Sequence, residues 1–130
     1  MAAIARFASG GPWEARFGYS RAVRAGDLVL VAGTTAIDGD GVVRGIGDPA
    51  AQTAFALDTI EAALAQAGAR LDQVVQTRMF VTDVSRADEV GRVHGERFGD
   101  HPPVSSMIGV DALLDPRMLV EIEAMAYVGG

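Results

Sequence analysis

Two carboxylates spaced two residues apart are the groups in this chain best suited to chemistry. Glu121 and Glu123 sit in the run Leu119-Val-Glu-Ile-Glu-Ala-Met-Ala-Tyr127. Side chains alternate along a strand, so both share a face with Leu119, Met125 and Tyr127, while Val120, Ile122, Ala124, Ala126 and Val128 make an apolar face. Carboxylates are common proton-transfer groups. Periodicity alone leaves two readings of the mixed face open: a solvated strand surface, or a cleft or subunit interface that also covers Leu119, Met125 and Tyr127.

Other reactive residue types are sparse. Cysteine is absent, which removes thiolate nucleophiles, disulfides and the usual cysteine zinc sites. His94 and His101 have no carboxylate or second imidazole at metal-ligand spacing, so no metal and no cofactor is expected. His94, on an expected helix, reads as a surface or interface residue. Gly39-Asp-Gly41 and Gly45-Ile-Gly47 lack the phosphate-binding glycine patterns and read as turns. Trp13, the sole tryptophan, either covers a cleft mouth or packs the N-terminal segment down; packing is the simpler expectation.

The bulk properties bound the rest. At 130 residues the chain is expected to form one domain, 1–130, that buries about two-thirds of its unfolded surface. A net charge of −6 opposes binding to a phosphate polyanion, and no window gathers a basic patch, so no nucleic-acid partner is expected. No apolar run approaches the roughly 20 residues that cross a bilayer, and the N-terminus lacks the form of a signal peptide. The expectation is a cytoplasmic protein without a membrane partner.

The elements that must position these groups follow from local pattern. Tyr19 to Arg24 and Asp27 to Ala32 read as strands around Ala25-Gly26, and Val42-Val43-Arg44 as a further short strand. Asp48 is an N-cap, Pro49 a first helical residue and Gly68 a C′ residue; Thr53, Leu57, Ile60, Leu64 and Ala67 make one apolar stripe between them. Val74 to Val81 reads as a strand. Ser85-Arg-Ala-Asp88 has the form of a capping box opening a second helix that ends near Phe98-Gly99. Its Gly91 and Gly95 share a face, explained either by close approach to a sheet or by a cleft floor left open. Ser105 to Val110 and Met118 to Val128 complete an order β-β-(β)-α-β-α-β-β, an α+β layer with both helices on one face of a mixed sheet.

Nearly the whole chain resembles the YjgF/Rid (RidA-like) family. The resemblance is carried by Gly18-Tyr19-Ser20-Arg21-Ala22-Val23, Val31-Ala32-Gly33-Thr34, Asp48-Pro-x-Ala-Gln52-Thr53, Val75-x-Thr77-x-Met-Phe80-Val-Thr-Asp83, Phe98-Gly-x-His-Pro-Pro103 and Val120-Glu121-Ile122. It implies a chorismate-mutase-like fold, a homotrimer, and hydrolysis of reactive enamines or imines such as 2-aminoacrylate to keto acids and ammonia in an intersubunit pocket. Glu121 matches the Glu that positions or activates water, and Tyr19 and Gly33 match pocket positions.

One departure stands out. Where archetypal members read Pro-Ala-Arg-Ser, this chain reads Pro103-Val104-Ser105-Ser106, followed by Met107. A hydroxyl cannot take a carboxylate bidentately as a guanidinium does. One charge-assisted hydrogen bond is worth about 1.5–3 kcal/mol, so an amino-acid-like substrate should bind roughly ten- to more than a hundredfold more weakly. Gly91 and His94 stand where members often carry an asparagine and an aromatic, which marks a noncanonical subgroup. Ser105, Ser106 or nearby amides are expected to take a substrate oxygen. Arg78 and Arg21 are candidates to replace the arginine; Arg78 is preferred because a charge between Thr77 and Met79-Phe80-Val81 needs an explanation. A deaminase-like hydrolase of altered specificity leads, ahead of a non-catalytic metabolite-binding module and of the endoribonuclease or translation-inhibitor activity after which some relatives are named.

Overall fold

A computed structural model describes residues 3–130. Six strands form one sheet: β1 (Ile4–Phe7), β2 (Ala22–Ala25), β3 (Leu28–Thr34), β4 (Val74–Val81), β5 (Val104–Gly109) and β6 (Val120–Tyr127). Their order is β1-β2-β3-β6-β4-β5. β4 and β5 are parallel and every other neighbouring pair is antiparallel. Helices α1 (Pro12–Phe17), α2 (Pro49–Gln66) and α3 (Ala87–Phe98) complete the fold.

α2 forms where the sequence places it, and for the expected reasons. The Asp48 carboxylate accepts from the Ala51 amide at 3.1 Å, Pro49 opens the helix, and Gly68 just beyond its end has φ +83°. The whole stripe from Thr53 to Ala67 is buried. It packs with Val90, Val93 and Phe98 of α3 onto Val29, Val31, Met79, Val81, Val120, Ile122, Ala124 and Ala126 of the sheet. The helix-facing side of β6 is therefore the apolar face read from alternation, except that Val128 lies one residue beyond the strand and is half-buried. The opposite sheet face carries Leu28, Leu30 and Tyr127, each exposed. The fold class is α+β, a mixed sheet with α2 and α3 on one face.

Four details differ from expectation. β1 and α1 were not anticipated: β1 is a four-residue edge strand without a buried side, and α1 is six residues with no apolar stripe, so neither carries a period to read. Val42 to Arg44 forms an isolated bridge between Val43 and Ile37 in place of a strand. The capping box at Ser85 does not form. Ser85 donates its amide at 3.0 Å and its hydroxyl at 2.6 Å to Asp83, capping a single 3₁₀ turn at Val84–Arg86, and α3 begins after it. Finally, the glycines of α3 do not mark close approach to the sheet: a Cβ at Gly91 would meet nothing nearer than Met107 Cε at 3.8 Å, and one at Gly95 nothing within 4 Å.

Candidate functional site

A cavity of about 270 Å³ opens where β3 ends and β6 begins. Trp13, Tyr19, Phe55, Leu113, Leu114 and Met118 give it apolar walls, and Glu14, Arg21, Gly33 and Glu121 supply polar groups. The start of β6 is fixed by the buried amide of Gln52 in α2, which donates to the Arg117 carbonyl and accepts from the Leu119 amide, both at 2.8 Å. Val120 and Ile122 are fully buried on either side of Glu121. Alternation then turns the Glu121 side chain away from the core and into the cavity wall.

Gly33 lies directly against that carboxylate. A Cβ on Gly33 would stand 2.7 Å from Glu121 Oε2 and 2.9 Å from its Cδ. The register between β3 and β6 shifts between Val31 and Thr34, so Gly33 falls in the irregular step of the ladder. Burial, together with the charge of Glu123, pushes the Glu121 carboxyl above its usual range, and Arg21 opposes the rise.

The sequence reading missed Glu14. The short α1 buries this residue to 5% exposure. Its carboxylate accepts from the Ser9 amide at 2.9 Å and from the Ser9 hydroxyl, and lies 3.5 Å from Arg21 Nε. Burial alone would raise the Glu14 carboxyl, but the Ser9 hydrogen bonds and the Arg21 charge outweigh it and hold the group below its usual value. Arg21 Nη1 in turn donates to the Gly33 carbonyl at 2.9 Å and Thr34 Oγ1 at 2.8 Å, and the guanidinium stands 5.7 Å from the centre of the Tyr19 ring. The signal for Glu14 was present in Gly11-Pro12-Trp13-Glu14, a proline positioned to open a helix with an acidic residue in its first turn.

The other expected site residues lie elsewhere in the chain. Ser105 pairs with Thr77 across β5 and β4 on the helix-facing side. Thr77 Oγ1 donates to Ser105 Oγ at 2.8 Å and lies 2.8 Å from His94 Nε2. Thr77 Oγ1 thus joins the Ser105 hydroxyl and the His94 ring in one hydrogen-bonded chain. Burial pushes the His94 pKa down, which keeps the ring neutral. Met107 stands beside Gly91 at this edge. Ser106 pairs with Arg78, on the strand positions facing the other way. Arg78 bonds Glu123 at 3.3 Å and lies 5.4 Å from the Phe80 ring centre. Its charge within the strand is explained by the open sheet face, in a shallow depression it shares with Glu123 and Tyr19. The arginine in the cavity with Glu121 is Arg21, not Arg78. One chain thus unites Glu121, Gly33 and Tyr19 in a cavity that none of Ser105, Ser106, Met107, Gly91 and Arg78 lines, although Tyr19 also borders the depression of Arg78. Among the described residues, no cluster of His, Asp or Glu is arranged to hold a metal ion.

A mixed six-stranded sheet with two helices on one face, and a strand-borne Glu packed on a glycine, define the class, and comparison with known proteins agrees. The family profile Endoribonuclease L-PSP matches residues 12–128, and the chain belongs to this family, also called YjgF/Rid. The crystal structure of Rv2704 from Mycobacterium tuberculosis, a member of the YjgF/YER057c/UK114 family, has a TM-score of 0.87 and 55% identity, covering 97% of this chain and 100% of that one. Protein SCO2049 of Streptomyces coelicolor is 44% identical over 98% of this chain and 94% of its own length. The 3-aminoacrylate deaminase RutC of Acinetobacter baylyi is 33% identical over 85% of this chain and 86% of its own. No helix among the described residues is long and apolar enough to cross a membrane.

Proposed function

We propose that this protein is a deaminase-type hydrolase that releases ammonia from an enamine or imine, in a cleft completed by a neighbouring copy within a homotrimer. The observation that carries the reading is the Glu121 carboxyl, desolvated and seated on Gly33 in an apolar cavity. A carboxylate whose pKa is raised is a better base for water than an ordinary one. As water oxygen bonds to the imine carbon, Glu121 takes a water proton; it returns a proton to nitrogen as the carbon–nitrogen bond breaks. Tyr19 and Trp13 shape the pocket. The name of the Acinetobacter relative, a deaminase of 3-aminoacrylate, favours the same reaction class.

The second half of the cleft falls to Ser105, Met107 and Gly91 of a neighbour. Their absence from the Glu121 cavity of one chain, and the uncovered Leu28, Leu30 and Tyr127 of the open sheet face, support assembly. Ser105 is exposed at the β5 edge, with its hydroxyl 2.8 Å from Thr77 Oγ1. The test is ammonia release from imines generated in situ by oxidation of amines and amino acids. Turnover by the native protein, reduced about 100-fold or more in Glu121→Gln, is the expected result. Binding of these imines without turnover would make the protein a metabolite-binding module and overturn the reading.

A further inference from the structure

We propose that the cavity takes an imine or amine with an apolar body and no carboxylate, neutral or cationic, because the arginine in its wall is already neutralised by Glu14. The inference rests on the reading of this cavity as the ligand site and adds the class of ligand to it.

Four side chains that line the cavity carry formal charge: Glu14, Arg21, Asp38 and Glu121. Three of them have charged or polar partners within the protein. The buried Glu14 carboxylate faces Arg21 Nε, and Arg21 Nη1 is committed to the Gly33 carbonyl and Thr34 Oγ1. A substrate carboxylate would have to compete with the Glu14 carboxylate, which two hydrogen bonds from Ser9 hold in place. Asp38 takes Arg44 Nε at 2.7 Å and the amides of Asp40 and Val42.

Glu121 is left over. Among the described residues it accepts no hydrogen bond, and the charge of nearby Glu123 is shared with Arg78. The potential in the cavity is therefore negative. Trp13, Tyr19 and Phe55 present aromatic surface around it, which attracts a desolvated cation and repels an anion. The edge that a neighbouring copy would contribute brings no free cation either: Ser105 is a hydroxyl, His94 is kept neutral by burial, and Arg78 is paired with Glu123. An iminium such as that of benzaldehyde fits these terms. One water adds across its C=N bond, the C–N bond of the adduct breaks, and benzaldehyde and ammonium leave, with atoms and charge balanced.

The test uses the full-length protein and a matched pair of probes, benzylammonium and benzoate, titrated calorimetrically at about pH 8, well above the ordinary pKa of a Glu carboxyl. Benzylammonium should bind at least about tenfold more tightly than benzoate, as one charge-assisted hydrogen bond open to the first probe and denied to the second requires. Glu121→Gln should abolish the preference. Glu14→Gln should reverse it by freeing the Arg21 charge; if that variant does not fold, Glu121→Gln decides alone. Equal or tighter binding of benzoate to the native protein, or no binding of benzylammonium in the millimolar range, overturns the inference. Turnover separates the two readings. Selective benzylammonium binding without ammonia release from the imine of benzylamine keeps the ligand class and overturns the hydrolase. Faster release from the carboxylate-bearing imine of phenylglycine keeps the hydrolase and overturns the ligand class.

Discussion

Glu121 and Gly33 form a unit that mutation can separate. In Gly33→Ala the new methyl would displace only the end of a flexible side chain, so the loss of stability should stay below about 1 kcal/mol while activity falls nearly as far as in Glu121→Gln; denaturant midpoints beside ammonia-release rates would reveal a stability loss that contradicts this. The pH profile offers a sharper check. If Glu121 works as its carboxylate, the acid limb of kcat/KM lies above the ordinary 4.5 of a free Glu, because burial and Glu123 raise it. Glu123→Gln should move that limb down and Arg21→Gln should move it up, since the two neighbours act with opposite sign. The same shift has a cost in stability. A carboxyl whose folded pKa is raised favours the fold only while protonated, so its contribution is lost as pH rises through the folded value, and Glu121→Gln should be more stable than the native protein at neutral pH. Glu14 behaves oppositely: its pKa is held below 4.5, so its contribution is present above that value and is lost as pH falls through the folded pKa. Chemical denaturation of the two Gln variants across pH 3 to 8 would reveal these opposite slopes.

At the scale of elements, α2 was legible because capping, proline placement and a stripe of five buried positions all agree. α3 was legible as a helix but not in its start, because the Ser85 hydroxyl is taken by Asp83 two residues earlier. Its glycines give a stability prediction. Gly95 is exposed with open space where a Cβ would sit, so Gly95→Ala should stabilise by about 0.5–1 kcal/mol and raise Tm by roughly 3–5 °C in a scanning experiment. Gly91→Ala should stabilise similarly, since Met107 is at ordinary contact distance. A drop in activity in Gly91→Ala alone would mark this position as part of the cleft, whereas unchanged activity in both would remove Gly91 from it. β1 and α1 were illegible, being short and without a buried periodic face, although α1 carries Glu14.

For the whole molecule, the proposed assembly turns on the open face of the sheet. Leu30, 42% exposed, pairs with Met125 in the middle of that face, and a homotrimer would cover both. Leu30→Lys should reduce the mass in solution from about three times 13.5 kDa to that of one chain and should abolish turnover with it, as light scattering and ammonia release would read. A native protein already of single-chain mass would refute the shared cleft. Introducing an arginine tests the other half of the proposed cleft: Ser105→Arg should raise activity on 2-aminoacrylate by roughly ten- to a hundredfold, and no gain would mean that Ser105 does not meet Glu121 across an interface.

The sequence by itself determined the fold class, the main helix and its caps, the two-faced final strand with Glu121 on its polar side, and membership of the family, because these rest on local period and on motifs contiguous in the chain. Tertiary structure decided which charges meet. Glu14, Arg21 and Gly33 stand apart in sequence on a helix, a loop and a strand. Only folding places the Glu14 carboxylate beside the arginine and the arginine on the Gly33 carbonyl. Whether an arginine is free to hold a substrate depends on what already holds the arginine, a three-dimensional fact that no residue type or spacing encodes.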